Sequence, residues 1–250
     1  MRGRSNHWPV WAVMMSLVFA GSIGIAHADA LQTALSQATS ADYSPILKTF
    51  LLLSALSLLP ILLIGLTSFT RIIVVLSLVR SAIGLQQTPP NSVLITLALF
   101  LTFFSMAPVA QAIQHDALDP YLHRQLSTAA AIERGFQPLK LFMVRQTHAS
   151  DLKAVLAMAK APMPKTVNDI QAADLIPAFM LSELETAFQI GFVIFLPFLL
   201  IDLVVAAVLM GLGMIMVPPA TLSLPLKILL FLLINGWTLI AQALLSSYVR

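Results

Sequence analysis

The chain has 250 residues, 58% of them hydrophobic and only 10% charged, with a mean hydropathy of +0.90. Soluble domains carry roughly 25% charged residues and about 45–50% apolar ones, so an ordinary globular domain is excluded. The lack of cysteine removes disulfide frameworks, thiolate nucleophiles and Cys-ligated metal centres, and the basic pI near 9.5 is no nucleic-acid signal, because the bases are interleaved with acids and form no stripe that could follow a phosphate backbone.

Residues 1–28 read as a secretory leader. Arg2 and Arg4 make a positive start, Trp8 to Ala20 an apolar core, and Ala26-His27-Ala28 an A-x-A cleavage site. The core is short for a bilayer span, which favours removal after Ala28 over a retained anchor. A mature start at Asp29 would lie outside a bacterial cytoplasmic membrane. Residues 29–45 are a polar lead-in.

Four apolar segments follow, separated by charges. No charged residue occurs between Lys48 and Arg71, Arg80 and Asp116, Glu185 and Asp202, Asp202 and Lys227, or Lys227 and Arg250. A membrane-crossing helix needs about 20 mostly apolar residues, and barrel strands would be shorter and alternating. The expected class is an all-α membrane protein of two long helical hairpins with a small helical insert. The first hairpin (46–113) holds a segment from Ile46 to Leu66, kinked at Pro60 and continued through Arg71 to Arg80, then a Pro89-Pro90 turn with Asn91 as cap, then Ser92 to Ile113. The insert (114–185) mixes bases and acids. Asp119-Pro120 reads as a helix start that Gly135 ends. Leu139, Phe142, Met143 and Gln146, then Leu152, Val155, Leu156 and Ala159, stand at helical spacing. The second hairpin (186–250) runs from Phe188 to Leu209, turns at the Met-rich loop 210–219, and returns from Leu222 to Leu245. An external start and four crossings put the insert on the periplasmic side; Arg71 and Arg80 then fall inside, in keeping with the positive-inside bias.

Motifs of enzymes are missing: there is no GxSxG, HExxH, phosphate loop or dinucleotide fingerprint. His115, His123 and His148 lack metal-ligand spacing to one another and read as surface residues. Glu183 and Glu185, two apart, fall on different faces of a helix and read as a solvated helix start. No cofactor is expected. What stands out is polarity inside apolar helices. Asp202 and Lys227 each cost roughly 2.5–3.5 kcal/mol in hydrocarbon, so they are expected to pair across the last hairpin or to face water. Met210, Met214 and Met216 crowd one loop. Methionine fits irregular contacts, so the cluster serves either as packing or as a deformable seal.

These residues carry a resemblance. The run TSFTRIIVVLSLVR from Thr67 to Arg80 with QTPP after it, SELETAFQIGF from Ser182 to Phe192, VLMGLGMIMVPPA from Val208 to Ala220, Asn235-Gly-Trp237 and FMVRQT from Phe142 to Thr147 resemble the flagellar biosynthetic FliP family of type III secretion export gates. The likeness spans about Ile46 to the C-terminus. It implies a subunit of the flagellar protein export gate in the inner membrane, at the basal body. The subunit would form a homo-oligomer, a pentamer in the family, with FliQ, FliR, FlhB and FlhA homologues, and pass unfolded export substrates. It implies a gasket at Met210, Met214 and Met216. Ile215 interrupts that cluster, where another methionine is expected. Arg71, Arg80, Glu183, Glu185 and Asn235 are expected to make polar or charged helix contacts; Glu185 stands where a lysine is expected and Asn235 where an aspartate is expected, so the resemblance supports no ionic contact at those two positions. The alternative class is a small-solute transporter or channel subunit that binds an ion at midplane charges; such transporters usually show inverted repeats, and none is visible here.

Overall fold

The computed structural model describes residues 59–248 except 215, and scattered positions between 47 and 57. The chain divides into two units at residue 58. In the first, the described residues Leu47, Thr49, Phe50, Leu53, Ser54 and Ser57 are helical; the leader with Ala26 and Ala28, and the lead-in, lie outside the described residues.

The second unit is helical, with no strand among its described residues. Helix α1 (Leu59–Leu66) meets α2 (Phe69–Ile83) at a bend of 83°. The described bend sits at Thr67-Ser68, seven residues beyond Pro60, where the kink was expected. Two hydroxyls satisfy carbonyls opened by the bend: Thr67 Oγ1 donates to the Leu63 carbonyl at 2.5 Å and Thr70 Oγ1 to the Ile64 carbonyl at 2.7 Å. Helix α2 closes on Gly84, whose φ of 92° lets its N–H reach back to the Arg80 and Ser81 carbonyls.

Helix α3 (Asn91–Ile113) runs through a π-helical turn (Gln114–Leu118) into α4 (Asp119–Leu122), 32 residues without a sharp break. Asn91 does not cap α3: it is the first helical residue, and its Oδ1 accepts from Arg80 Nη1 at 2.7 Å. Nor does Asp119-Pro120 open a long helix. The chain reverses at Arg124 (φ 57°), Ser127 caps α5 (Thr128–Gln146) by accepting from the Ala130 N–H, and Gly135 lies inside α5 rather than ending a helix. Helix α6 (Ala149–Ala159) follows, then the proline-containing linker and a short 3₁₀ turn (Val167–Asp169).

The largest departure is α7 (Ala172–Gly211), 40 residues long and so about 60 Å at 1.5 Å per residue. The third apolar segment was expected to begin at Phe188; the helix starts sixteen residues earlier and passes 185 unbroken, so Glu183 and Glu185 are interior residues and not a helix start. Leu175, Ala178, Phe179 and Ser182, all buried at three- and four-residue spacing, are the stripe that seats this extension. Helix α8 (Ala220–Leu233) and α9 (Gly236–Ser246) meet at 62°, so the fourth segment is bent, not straight. Asn235 takes φ 50° at the corner, a conformation asparagine tolerates, and a Cβ on Gly236 would come within 2.2 Å of the Phe231 ring.

Helix α2 is the axis of the main core. Ile72, Val75, Leu76, Val79 and Ile83 are buried against Leu94 and Ala98 of α3, Ala187 and Phe198 of α7, Phe231 of α8 and Leu244 of α9. β-Branched residues are indifferent helix formers, so this packing rather than propensity holds α2. Gly191 marks the close approach of α7 to α2: a Cβ there would sit 2.3 Å from Leu78 Cδ1. A second core joins Met106, Phe142, Met143, Ile170, Leu175 and Phe179 under the insert. Elsewhere the apolar surface is open. Phe100, Phe103 and Phe104 of α3 and Phe192, Leu200 and Leu203 of α7 are all about 60% exposed or more. Soluble monomers rarely show contiguous apolar patches beyond a few hundred Å²; these faces belong in lipid or against other chains. The protein is an all-α membrane protein.

Candidate functional site: two ionic clasps and an exposed methionine tip

Two carboxylates of helix α7, Glu183 and Asp202, meet basic side chains of other helices. The first joins residues far apart in sequence. Glu183 is completely buried and accepts from Arg71 of α2, itself 3% exposed. Arg71 Nη2 also donates to Gln146 Oε1 of α5 at 3.1 Å, and Nη1 to Ser247 Oγ at 3.3 Å. Its guanidinium lies 4.2 Å from the centre of the Tyr248 ring, a cation–π distance. The Tyr248 hydroxyl is 2.9 Å from Glu183 Oε2 and 3.2 Å from the Ser68 carbonyl, and the ring stacks on Phe142. One arginine and one tyrosine therefore tie α2, α5, α7 and the end of the chain together. The sequence reading missed this knot. Its one available signal was the apolar stripe from Leu175 to Ser182, which extends the helix backward and makes Glu183 a core position.

The second contact is Asp202 of α7 with Lys227 of α8, Nζ to Oδ2 2.6 Å. Lys227 is buried, its Nζ also 3.5 Å from the Ala82 carbonyl of α2, whereas the Asp202 side chain is 40% exposed. Arg80 meets no carboxylate among the described residues; it donates to the Pro89 carbonyl at 3.1 Å and to Asn91, closing the α2–α3 turn. Glu185 points away from Glu183, toward His148 and Gln189, and Asn235 serves the α8–α9 corner.

Beyond α7 the chain turns through Gly213 (φ 73°). Met210, Met214 and Met216 stand 66%, 43% and 96% exposed there, and Cβ atoms on Gly211 or Gly213 would meet nothing within 4 Å. The tip stands largely exposed. Ile215 lies outside them.

This arrangement is a set of helix clasps around an apolar projecting loop, and comparison with known proteins gives it a context. A family model described as the FliP family matches residues 52–244. Over 201 residues the chain is 51% identical to the flagellar biosynthetic protein FliP of Pectobacterium carotovorum subsp. carotovorum, covering 80% of this chain and 78% of that protein. Against the flagellar biosynthetic protein FliP of Bacillus subtilis (strain 168) it is 49% identical over 207 residues, 83% of this chain and 94% of the other. The protein of the same description from Aquifex aeolicus (strain VF5) is 48% identical over 204 residues, 81% and 85%. A family model matched across most of the chain, with relatives about half identical over some four fifths of it, shows that the chain belongs to the FliP family.

Proposed function

We propose that this chain is a membrane subunit of the flagellar type III export gate, with a structural rather than enzymatic role. It would assemble as a ring, a pentamer by family resemblance, with FliQ, FliR, FlhB and FlhA homologues in the inner membrane at the flagellar basal body, and unfolded flagellar proteins would pass through it. The observation that carries the reading is the identity of about one half, over 80% and 83% of the chain, to proteins named for flagellar biosynthesis. The exposed apolar faces of α3 and α7 support it, since they call for lipid and neighbouring subunits. Complementation tests it: the gene should restore swimming to a strain lacking its relative and copurify with a FliQ homologue. Ion-dependent uptake by the isolated protein, without either result, would instead indicate a small-solute transporter.

The leader 1–28 would be removed after Ala28, leaving a polar lead-in, two hairpins and an insert (114–185) on the periplasmic side, with the insert's last stretch continuous with α7. Intact mass should therefore show a chain beginning at Asp29; a chain that keeps Met1 defeats this.

Met210, Met214 and Met216 would line the closed constriction. Their exposure within one subunit is what such a seal requires, because the covering surface comes from neighbours. Replacing all three by alanine removes apolar volume from every copy of a symmetric ring, so the effect multiplies. The expected result is leakage of small solutes with secretion partly kept, read by dye uptake. A tight membrane in a variant that assembles normally would make the methionines packing residues only.

A further inference from the structure

Where α6 begins against the side of α7, three metal-binding side chains converge. His148 Nδ1 is 3.5 Å from Asp151 Oδ2 and 3.5 Å from Glu185 Oε2, and ligand atoms of all three lie within 4.8 Å of one another. Around a cation bonded at about 2.0–2.2 Å, adjacent ligand atoms stand roughly 2.8–3.1 Å apart in octahedral and roughly 3.3–3.6 Å apart in tetrahedral geometry, so the two imidazole–carboxylate spacings already approximate tetrahedral coordination edges.

The ligands are also held from behind, as ligating groups commonly are. Buried Ser182 accepts from the His148 backbone N–H at 2.9 Å and donates to Asp151 Oδ2 at 2.5 Å. Gln189 Nε2 donates to Glu185 Oε1 at 3.1 Å, leaving Oε2 for the cluster. Ser182, Glu185 and Gln189 are three and four residues apart on α7, hence on one face. The side chains of His148 and Glu185 are 42% and 52% exposed, so a cation can enter and water can complete its shell. Among the three groups, charge favours a divalent ion: it neutralises both carboxylates beside a neutral imidazole, while a protonated imidazole leaves one negative charge over.

We propose that His148, Asp151 and Glu185 bind one first-row divalent cation of the zinc class and thereby pin the start of α6 to α7. The imidazole selects against magnesium and calcium, which take oxygen ligands. This site is independent of the export-gate reading and is tested without secretion. The full chain, purified in detergent and stripped with chelator, is titrated calorimetrically with Zn²⁺. One ion per chain is expected, with Mg²⁺ in excess failing to compete. Glu185→Gln and His148→Asn should each weaken binding by at least about tenfold, and Ser182→Ala, a positioning change, by roughly tenfold to a hundredfold. His123→Ala, at an exposed histidine elsewhere, should leave it unchanged. Glu185 is half-exposed, so its variant should keep the wild-type melting temperature in chelator. Zinc binding no tighter than about 100 μM (roughly 5.5 kcal/mol), equal competition by Mg²⁺, or wild-type affinity in both Glu185→Gln and His148→Asn overturns the site.

Discussion

Glu183→Gln is expected to be among the most damaging single changes in this protein. Glutamine keeps the volume but leaves the Arg71 guanidinium, 3% exposed, without a counter-charge. Breaking a buried pair by removing one partner costs roughly 3–5 kcal/mol, a large part of the 5–15 kcal/mol that typically holds a fold. Arg71→Met should be the milder member of the pair. A carboxyl stranded without its arginine can take up a proton and become neutral, and Tyr248 still bonds it; a guanidinium stays charged at any accessible pH. The double variant, Arg71→Met with Glu183→Leu, buries no charge and is expected to recover much of the loss. Thermal melting in detergent and the steady-state amount of protein in membranes check the order. Equal melting of Glu183→Gln and wild type would mean that the pair adds nothing to stability.

Asp202 and Lys227 give the second large effect, again with an asymmetry. Lys227 is enclosed while Asp202 keeps an open edge. Asp202→Asn therefore strands the enclosed ammonium, at about 3 kcal/mol. Lys227→Met leaves a carboxylate that can still reach water or a neighbouring subunit, at roughly 1 kcal/mol where water reaches it. The double neutral variant should assemble better than Asp202→Asn alone, judged by the size and amount of its species on native gels. If it assembles no better than the worse single variant, the two residues do not act as a pair.

The Asp202–Lys227 contact was legible before any coordinates. With the turn centred near residue 216, the two positions are fourteen residues before it and eleven after, a mismatch of about 4.5 Å at 1.5 Å per residue, which a lysine stem spans. The clasp at Arg71 was not legible, because Glu183 lies 112 residues away and no turn sets a register between α2 and α7. The bends at Thr67-Ser68 and Asn235 escaped for a related reason. Apolar composition marks that a segment avoids water, but it does not say whether the segment runs straight.

The sequence alone determined that this protein is helical and lives in a membrane, because charge-free runs of this length leave the backbone no other way to satisfy its hydrogen bonds in lipid. It also marked the methionine loop and the charges that need partners, since both stand out by residue type against an apolar background. Only the tertiary structure decided that α7 reaches back to Ala172, that Glu183 meets Arg71 under Tyr248, and that His148 faces Asp151 and Glu185. Each of those depends on which faces of distant helices touch, and side-chain packing across the core of α2 sets that, not local periodicity.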